Sequence, residues 1–275
     1  MKNNTEIPLV SAVIPTFNRG WIIKEAVESI LNQNYPNIET IVIDDGSTDD
    51  TAKKLSPYLD RITYLKQKNK GVSAARNLGI DRSTGTLIAF LDSDDLWHKN
   101  KISCQVNFFQ NNPEAMICQT EETWIRKGKR VNPKYKHKKL SGMIFEPSLE
   151  LCLVSPSAVM MKKELFEIAG LFDENLPACE DYDLWLRISK TLPIFLIDEP
   201  YTIKKGGHAD QLSANHSLDK YRIQSLARLL KNNKLDYEQR SAAIKIFNEK
   251  CRIYGNGCIK RGKTDEGKYY LGLQP

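Results

Sequence analysis

Residues 9–15, LVSAVIP, form an unbroken apolar and β-branched run, and comparable runs recur at ETIVIDD (39–45), ITYLKQ (62–67) and TLIAFLD (86–92). Runs of this length bounded by turn residues predict buried strands. Between the first two, WIIKEAVESILNQ (21–33) sets Ile22, Ile23, Ala26, Val27, Ile30 and Leu31 at helical spacing, which predicts a helix with one apolar face. Asp49 stands where it can cap the helix TAKKLSPYL, which Pro57 shortens, and GVSAARNLGIDRS (71–83) predicts a third helix. Strand–helix alternation with continuous apolar strands predicts a mostly parallel sheet covered on both faces. Ligands of such sheets bind outside the carboxyl ends of the strands. Polar clusters follow three of the four strands: Thr16/Asn18/Arg19, Asp44/Asp45 and Asp92/Asp94/Asp95. They are expected to converge on one rim.

The second half changes character. Residues 99–112 predict a helix, and QTEETWIRKGKRV a strand and basic hairpin; SPSAVMMKKELFEIAGLFDEN (155–175) predicts a strand, a helix and a turn. CEDYDLWLRISKT (179–191) predicts a helix with Leu184, Trp185 and Ile188 inward and Glu180/Asp181 at its start. PIFLIDEPYTIKK (193–205) is extended, and from residue 217 the pattern is helical only. The last two helical patterns resemble a single tetratricopeptide-like pair, too few for a solenoid. The predicted organisation is therefore a main domain over 1–216, with a nucleotide-binding half (1–100) and an acceptor half (101–216), and a helical extension over 217–275.

At 275 residues, 41% apolar and 27% charged, the chain has the composition of a globular protein. No apolar run nears the ~18 residues of a membrane span, and the N-terminus lacks signal-peptide features, so a cytoplasmic location is expected. Six scattered cysteines without a CxxC pair are expected to be reduced. The net charge of +6 is concentrated in RKGKRVNPKYKHKK (126–139), with eight Lys or Arg. This segment reads as a solvated rim loop or as a surface for an anionic partner, including a peripheral contact at the inner membrane face. Nucleic acid is not expected, because aromatic interleaving is thin there.

FLDSDDLW (90–97) holds three aspartates within four positions. Strand alternation turns Asp92 and Asp94 to one side, where a hard divalent cation can be held if phosphates supply further oxygens; an Asp-rich turn is the plainer alternative. Asp44-Asp45-Gly46-Ser47 offers carboxylates to a base imide or a ribose hydroxyl, and Arg76 is a candidate for a pyrophosphate. Neither GxGxxG nor GxxxxGK[ST] occurs, so a nucleotide here is not held by a glycine-rich cradle.

PTFNR (15–19), VIDDGSTDDT (42–51), KGVSAARNLGI (70–80), FLDSDDLW and FDENLPACEDYDLWLR (172–187) together resemble a family 2 glycosyltransferase, over about residues 9–210. Phe17 departs from the tyrosine often found in that family. The resemblance implies an α/β fold of GT-A type (Rossmann-like) with a C-terminal helical appendage, and inverting transfer from a nucleotide-diphosphate sugar, most commonly a UDP-sugar, to a hydroxyl acceptor in cell-surface polysaccharide or glycolipid assembly. It implies a nucleotide site from Pro15, Thr16, Phe17, Asn18, Arg19, Asp44, Asp45, Asn69, Arg76, Asp92 and Ser93. Asp92, Asp94 and His208 are its candidate ligands for Mn²⁺ or Mg²⁺. Asp181 is its candidate base, with Glu180 orienting it or meeting the acceptor. A nucleotidyltransferase, or a non-catalytic sugar-nucleotide-binding protein, is the competing reading.

Overall fold

The computed structural model describes residues 7–207, 218–232 and 234–274. The chain opens with β1 (Val10–Thr16), α1 (Ile23–Leu31), β2 (Ile38–Asp44), α2 (Thr51–Leu55), β3 (Thr63–Lys66), α3 (Val72–Arg82) and β4 (Leu87–Phe90). It continues through β5 (Leu96–Trp97), α4 (Lys101–Asn111), β6 (Ile117–Arg126), β7 (Lys129–Val131), α5 (Phe145–Glu150), β8 (Val159–Lys162), α6 (Leu165–Ala169), α7 (Glu180–Ser189) and β9 (Phe195–Gly206). The helices α8 (Leu218–Lys231), α9 (Tyr237–Lys260) and α10 (Thr264–Leu271) follow.

These strands make one sheet in the order β3-β2-β1-β4-β8-β6-β9-β5, with β7 paired to β6. The first four are parallel, as the strand–helix alternation predicts, and β1 is buried along its whole length. Its alternate side chains enter different cores. Val10, Ala12 and Ile14 pack with α1 and α4, whereas Val13 packs on the opposite face with Ile80 of α3. Gly79 lets α3 lie close on the sheet, because a Cβ there would run into Val13.

Beyond β4 the sheet becomes mixed: β8 is antiparallel to both β4 and β6, and β9 is parallel to β6. Two reversals restore the original direction. The carboxyl ends of β6 and β9 therefore lie on the same rim as those of β1–β4. PIFLIDEPYTIKK becomes one long strand, its register against β6 shifted around Glu121.

The terminal helices share a core with the main domain. Phe145, Leu149, Tyr182 and Leu186 of α5 and α7 pack with Ile223, Leu226, Phe247 and Tyr254. Asp236 starts α9 with a reciprocal capping box to Gln239. The expected boundary at 216 lies outside the described residues, as do His208 and His216. Among the described residues no helix is long and apolar enough to cross a membrane.

Candidate active site

The loops after β1 and β2 are stapled together. The Asn18 N–H donates to Ser47 Oγ (2.8 Å), the Thr48 N–H to Asn18 Oδ1 (2.8 Å) and the Arg19 N–H to Thr51 Oγ1 (3.0 Å). Asn18 sits in the left-handed region at φ 52°, a conformation costing a non-glycine residue of the order of 1 kcal/mol. Asp49 accepts from the N–H groups of Gly20 and Thr51, so it ties the start of α2 to the first loop; the N-cap position itself belongs to Asp50, whose side chain makes no capping bond.

Asp44 and Asp45 are built into this rim. Asp44 is fully buried; its Oδ1 accepts from the Ser47 N–H (2.7 Å) and its Oδ2 from the Tyr64 hydroxyl (2.6 Å). Burial first, and then the Asp44 charge, push the Tyr64 phenol up. Asp45 accepts from Gln67 Nε2 and from the N–H groups of Lys70 and Gly71, which closes the loop into α3. Gly46 turns at φ +86°, and a Cβ there would stand 2.9 Å from the Asn69 nitrogen. Pro15 and Thr16 are buried, Asn18 and Arg19 half-buried, and Phe17 and Asn69 exposed.

The three crowded aspartates lie not in a strand but in a turn past β4, closed by the Asp95 N–H to the Asp92 carbonyl (2.9 Å), and the turn separates them. Asp92 and Asp94 are half-buried, whereas Ser93 and Asp95 turn inward. Asp95 accepts from the Ser157 hydroxyl (2.7 Å) and the Lys205 N–H (2.9 Å), fastening the turn to β9. Burial pushes its carboxyl well above the usual range; the nearby Lys204 opposes this, and the charges of Asp92 and Asp94 add to it. The like-charge conflict is thus eased by sequestering one member.

Arg76 joins the two ends of the site. It is 3% exposed, with one guanidinium nitrogen 2.7 Å from Asp92 Oδ1 and another 2.5 Å from Glu180 Oε1. Its face lies over Phe172, and its Nε has no hydrogen-bond partner. It forms a buried bridge between the turn after β4 and the start of α7. Burial, together with the Asp181 charge, pushes the Glu180 carboxyl up against the attraction of Arg76.

The start of α7 is held in a strained turn, with Cys179 at φ +62°. Glu180 is buried and points to Arg76, while Asp181 stays half-exposed. Asp181 Oδ1 accepts from the Tyr182 N–H (2.7 Å), and Cys152 Sγ lies 3.6 Å from its Oδ2. Leu184, Trp185 and Ile188 face the core, as their spacing predicts.

Three site residues were not foreseen from sequence. Ser157 bridges the Asp92 N–H and the Asp95 carboxylate. Asn77 exchanges hydrogen bonds with the Phe172 backbone and so docks the segment leading to Glu180. Lys204 of β9 donates to Ser155 Oγ (3.0 Å); despite burial, Glu122 first, then Asp95, Asp92 and Asp181, hold its ammonium above the usual range. Asn77 alone carried a signal, as a polar residue amid small and apolar neighbours in mid-helix.

Among the described residues no three carboxylate, imidazole or thiol groups gather tightly enough to hold a metal by themselves. Asp92 and Asp94 nevertheless fit a hard cation that takes its other oxygens from a diphosphate. The third expected ligand, His208, lies outside the described residues.

An α/β sheet with this rim defines the GT-A class of glycosyltransferases. A model described as "Glycosyl transferase family 2" matches residues 11–168, and the chain belongs to that family. It is 34% identical over 230 residues to an uncharacterized glycosyltransferase of Rickettsia prowazekii, covering 80% of this chain and 71% of that one. It is 31% identical over 188 residues to the putative teichuronic acid biosynthesis glycosyltransferase TuaG of Bacillus subtilis, covering 66% and 73%. A Rickettsia felis glycosyltransferase at 40% identity is much longer, and the match spans 32% of it. Among solved structures, S. aureus TarS 1–349 in complex with UDP-GlcNAc superposes with a TM-score of 0.75 at 19% identity, covering 96% of this chain and 78% of TarS. Mannosyltransferase PcManGT from Pyrobaculum calidifontis, in complex with GDP-Man and Mn²⁺, does so with a TM-score of 0.64 at 17% identity, covering 97% and 86%.

Proposed function

We propose that this protein transfers a sugar from a nucleotide-diphosphate donor to an acceptor hydroxyl, with inversion at the anomeric carbon. The observation that carries this reading is the Arg76 bridge, which ties the carboxylate after β4 to the start of α7 across one cleft. A module that only bound a nucleotide would have no use for a second acidic pair there.

In this reading the loop Pro15–Arg19 and the Asp44/Asp45 turn hold the base and ribose. Asp45, the less enclosed of the two aspartates at 4% exposed against 0%, is assigned to the base; Asn69 and Ser93 lie at the edge of the same site. Asp92 and Asp94 would hold Mn²⁺ or Mg²⁺, which would supply positive charge against a nucleoside-diphosphate leaving group. Asp181 takes the proton from the attacking hydroxyl on the face opposite the leaving group. Glu180 and Arg76 position these groups. The relatives named for teichuronic acid and glycosyltransfer support a glycan acceptor, and the TarS and PcManGT complexes support a nucleotide-sugar donor.

Calorimetry with a panel of UDP- and GDP-sugars, with and without Mn²⁺, tests the donor side. Metal-dependent binding of one donor is expected, and binding of none would refute the reading. Asp181→Asn is expected to abolish transfer while leaving donor binding intact. Full turnover by that variant would remove Asp181 as the base.

A further inference from the structure

The β6–β7 hairpin and the turn after it stand on the rim that holds the site, because β6 runs in the same direction as β1–β4. Seven lysines and arginines between Arg126 and Lys138 are exposed, and the segment contains no acid. The two halves of the segment are brought together on Trp124. The His137 ring lies 5.4 Å from the Trp124 ring, and the Arg126 guanidinium lies 5.7 Å from it. Uncompensated like charge gathered in this way disfavours the folded state, and a polyanionic partner would relieve it.

Burial, then the charges of Lys136, Arg126, Lys134 and Lys204, hold the His137 imidazole below its usual range, so hairpin and β9 cations converge on one ring. Further in, the lysines are already answered by acids: Lys139 is buried 3.4 Å from Glu122, and Glu122, Asp95, Asp92 and Asp181 answer the charge of Lys204, which pairs in register with Trp124. The free positive charge is therefore that of the hairpin, on the rim that leads to the carboxylate assigned as base.

We propose that the hairpin is the entry of an acceptor track for a chain bearing carboxylate or phosphate groups at intervals, its hydroxyl end delivered to Asp181. The inference rests on the glycosyl-transfer reading and names its acceptor class. A flat anionic bilayer fits less well, because the exposed segment offers only Tyr135, 87% exposed, as an aromatic anchor.

The test titrates the full chain with oligogalacturonate, inorganic polyphosphate, a neutral malto-oligosaccharide and phosphatidylglycerol vesicles, and separately with UDP and GDP. Both anionic chains are expected to bind, more weakly as salt rises, and the neutral chain not to bind. Replacing Lys129, Arg130, Lys134 and Lys136 together by alanine is expected to weaken the anionic chains about tenfold or more, with nucleotide binding unchanged. Vesicle binding without chain binding, equal binding of the neutral chain, or chain affinity indifferent to these substitutions would overturn the track. Loss of the nucleotide titration alone would instead strike the glycosyl-transfer reading, since the chain titration measures the track by itself.

Discussion

Replacing Arg76 by methionine removes a side chain that touches both acidic motifs. The Glu180 side chain is 7% exposed and that of Asp92 is 29% exposed, so the two losses are unequal. Breaking a buried pair leaves an uncompensated charge at about 3–5 kcal/mol, whereas a pair open to water is worth about 1 kcal/mol or less. Glu180 limits its own penalty by taking up a proton, since burial already pushes its carboxyl up. A destabilisation of about 3 kcal/mol at pH 7 is therefore expected for Arg76→Met. A carboxyl whose folded pKa is raised loses stability as pH rises through that value, so the deficit should shrink as pH falls towards 5. Arg76→Met/Glu180→Gln is expected to recover about half the deficit, because Asp92 still lacks its partner. Neither variant should restore transfer. Urea unfolding at pH 5 and pH 7 measures all of this. A cost below about 1 kcal/mol, or no recovery in the double variant, would refute the bridge as a buried charge pair.

The remaining predictions concern the rim and the core. Asp95→Asn keeps an acceptor for the Lys205 N–H and is expected within about 1 kcal/mol of the parent in urea unfolding, with transfer retained; Asp94→Asn should lower turnover about a hundredfold. Gly46→Ala must adopt φ +86° with its Cβ 2.9 Å from the Asn69 nitrogen, and is expected to cost about 1–3 kcal/mol and to weaken nucleotide binding by calorimetry. Lys101 is fully buried beside Gln105 and the Trp97 ring, and burial pushes its ammonium down to about 7. The unfolded chain keeps that proton to about pH 10.4, so stability should rise with pH between those values. The advantage of Lys101→Met over the parent should accordingly shrink by about 3 kcal/mol from pH 7 to pH 9.5; an advantage constant with pH would count against it.

The pattern of apolar runs was enough to predict the parallel strands, because a strand covered on both faces must be apolar at most positions, as in Val10–Thr16, where Ser11 and Thr16 are the polar exceptions. Local chemistry also told where those strands end: Asn18 follows β1 as expected, while Asp45 and Asp92, read as the last residues of their strands, lie just past β2 and β4. The antiparallel pairing of β8 was beyond reach, since Val159–Lys162 carries no mark of which way its neighbours run.

What the chain order alone determined was that the acidic motifs share a rim. Tertiary structure decided how their charges are shared. Asp92, Asp94 and Asp95 are equivalent as letters, but only Asp95 meets Ser157 and the β9 backbone and withdraws from water. Arg76 is 104 residues from Glu180, and nothing local distinguishes it from a surface arginine on an amphipathic helix. Its role follows from α3 and α7 flanking the same strand end, where desolvation makes an unpaired charge too costly and the partners nearest in space prevail over those nearest in sequence. Lys204 owes its place beside the acids to the same cause: two strand reversals bring β9 back to the rim, and such a long-range pairing is legible only once the sheet is closed.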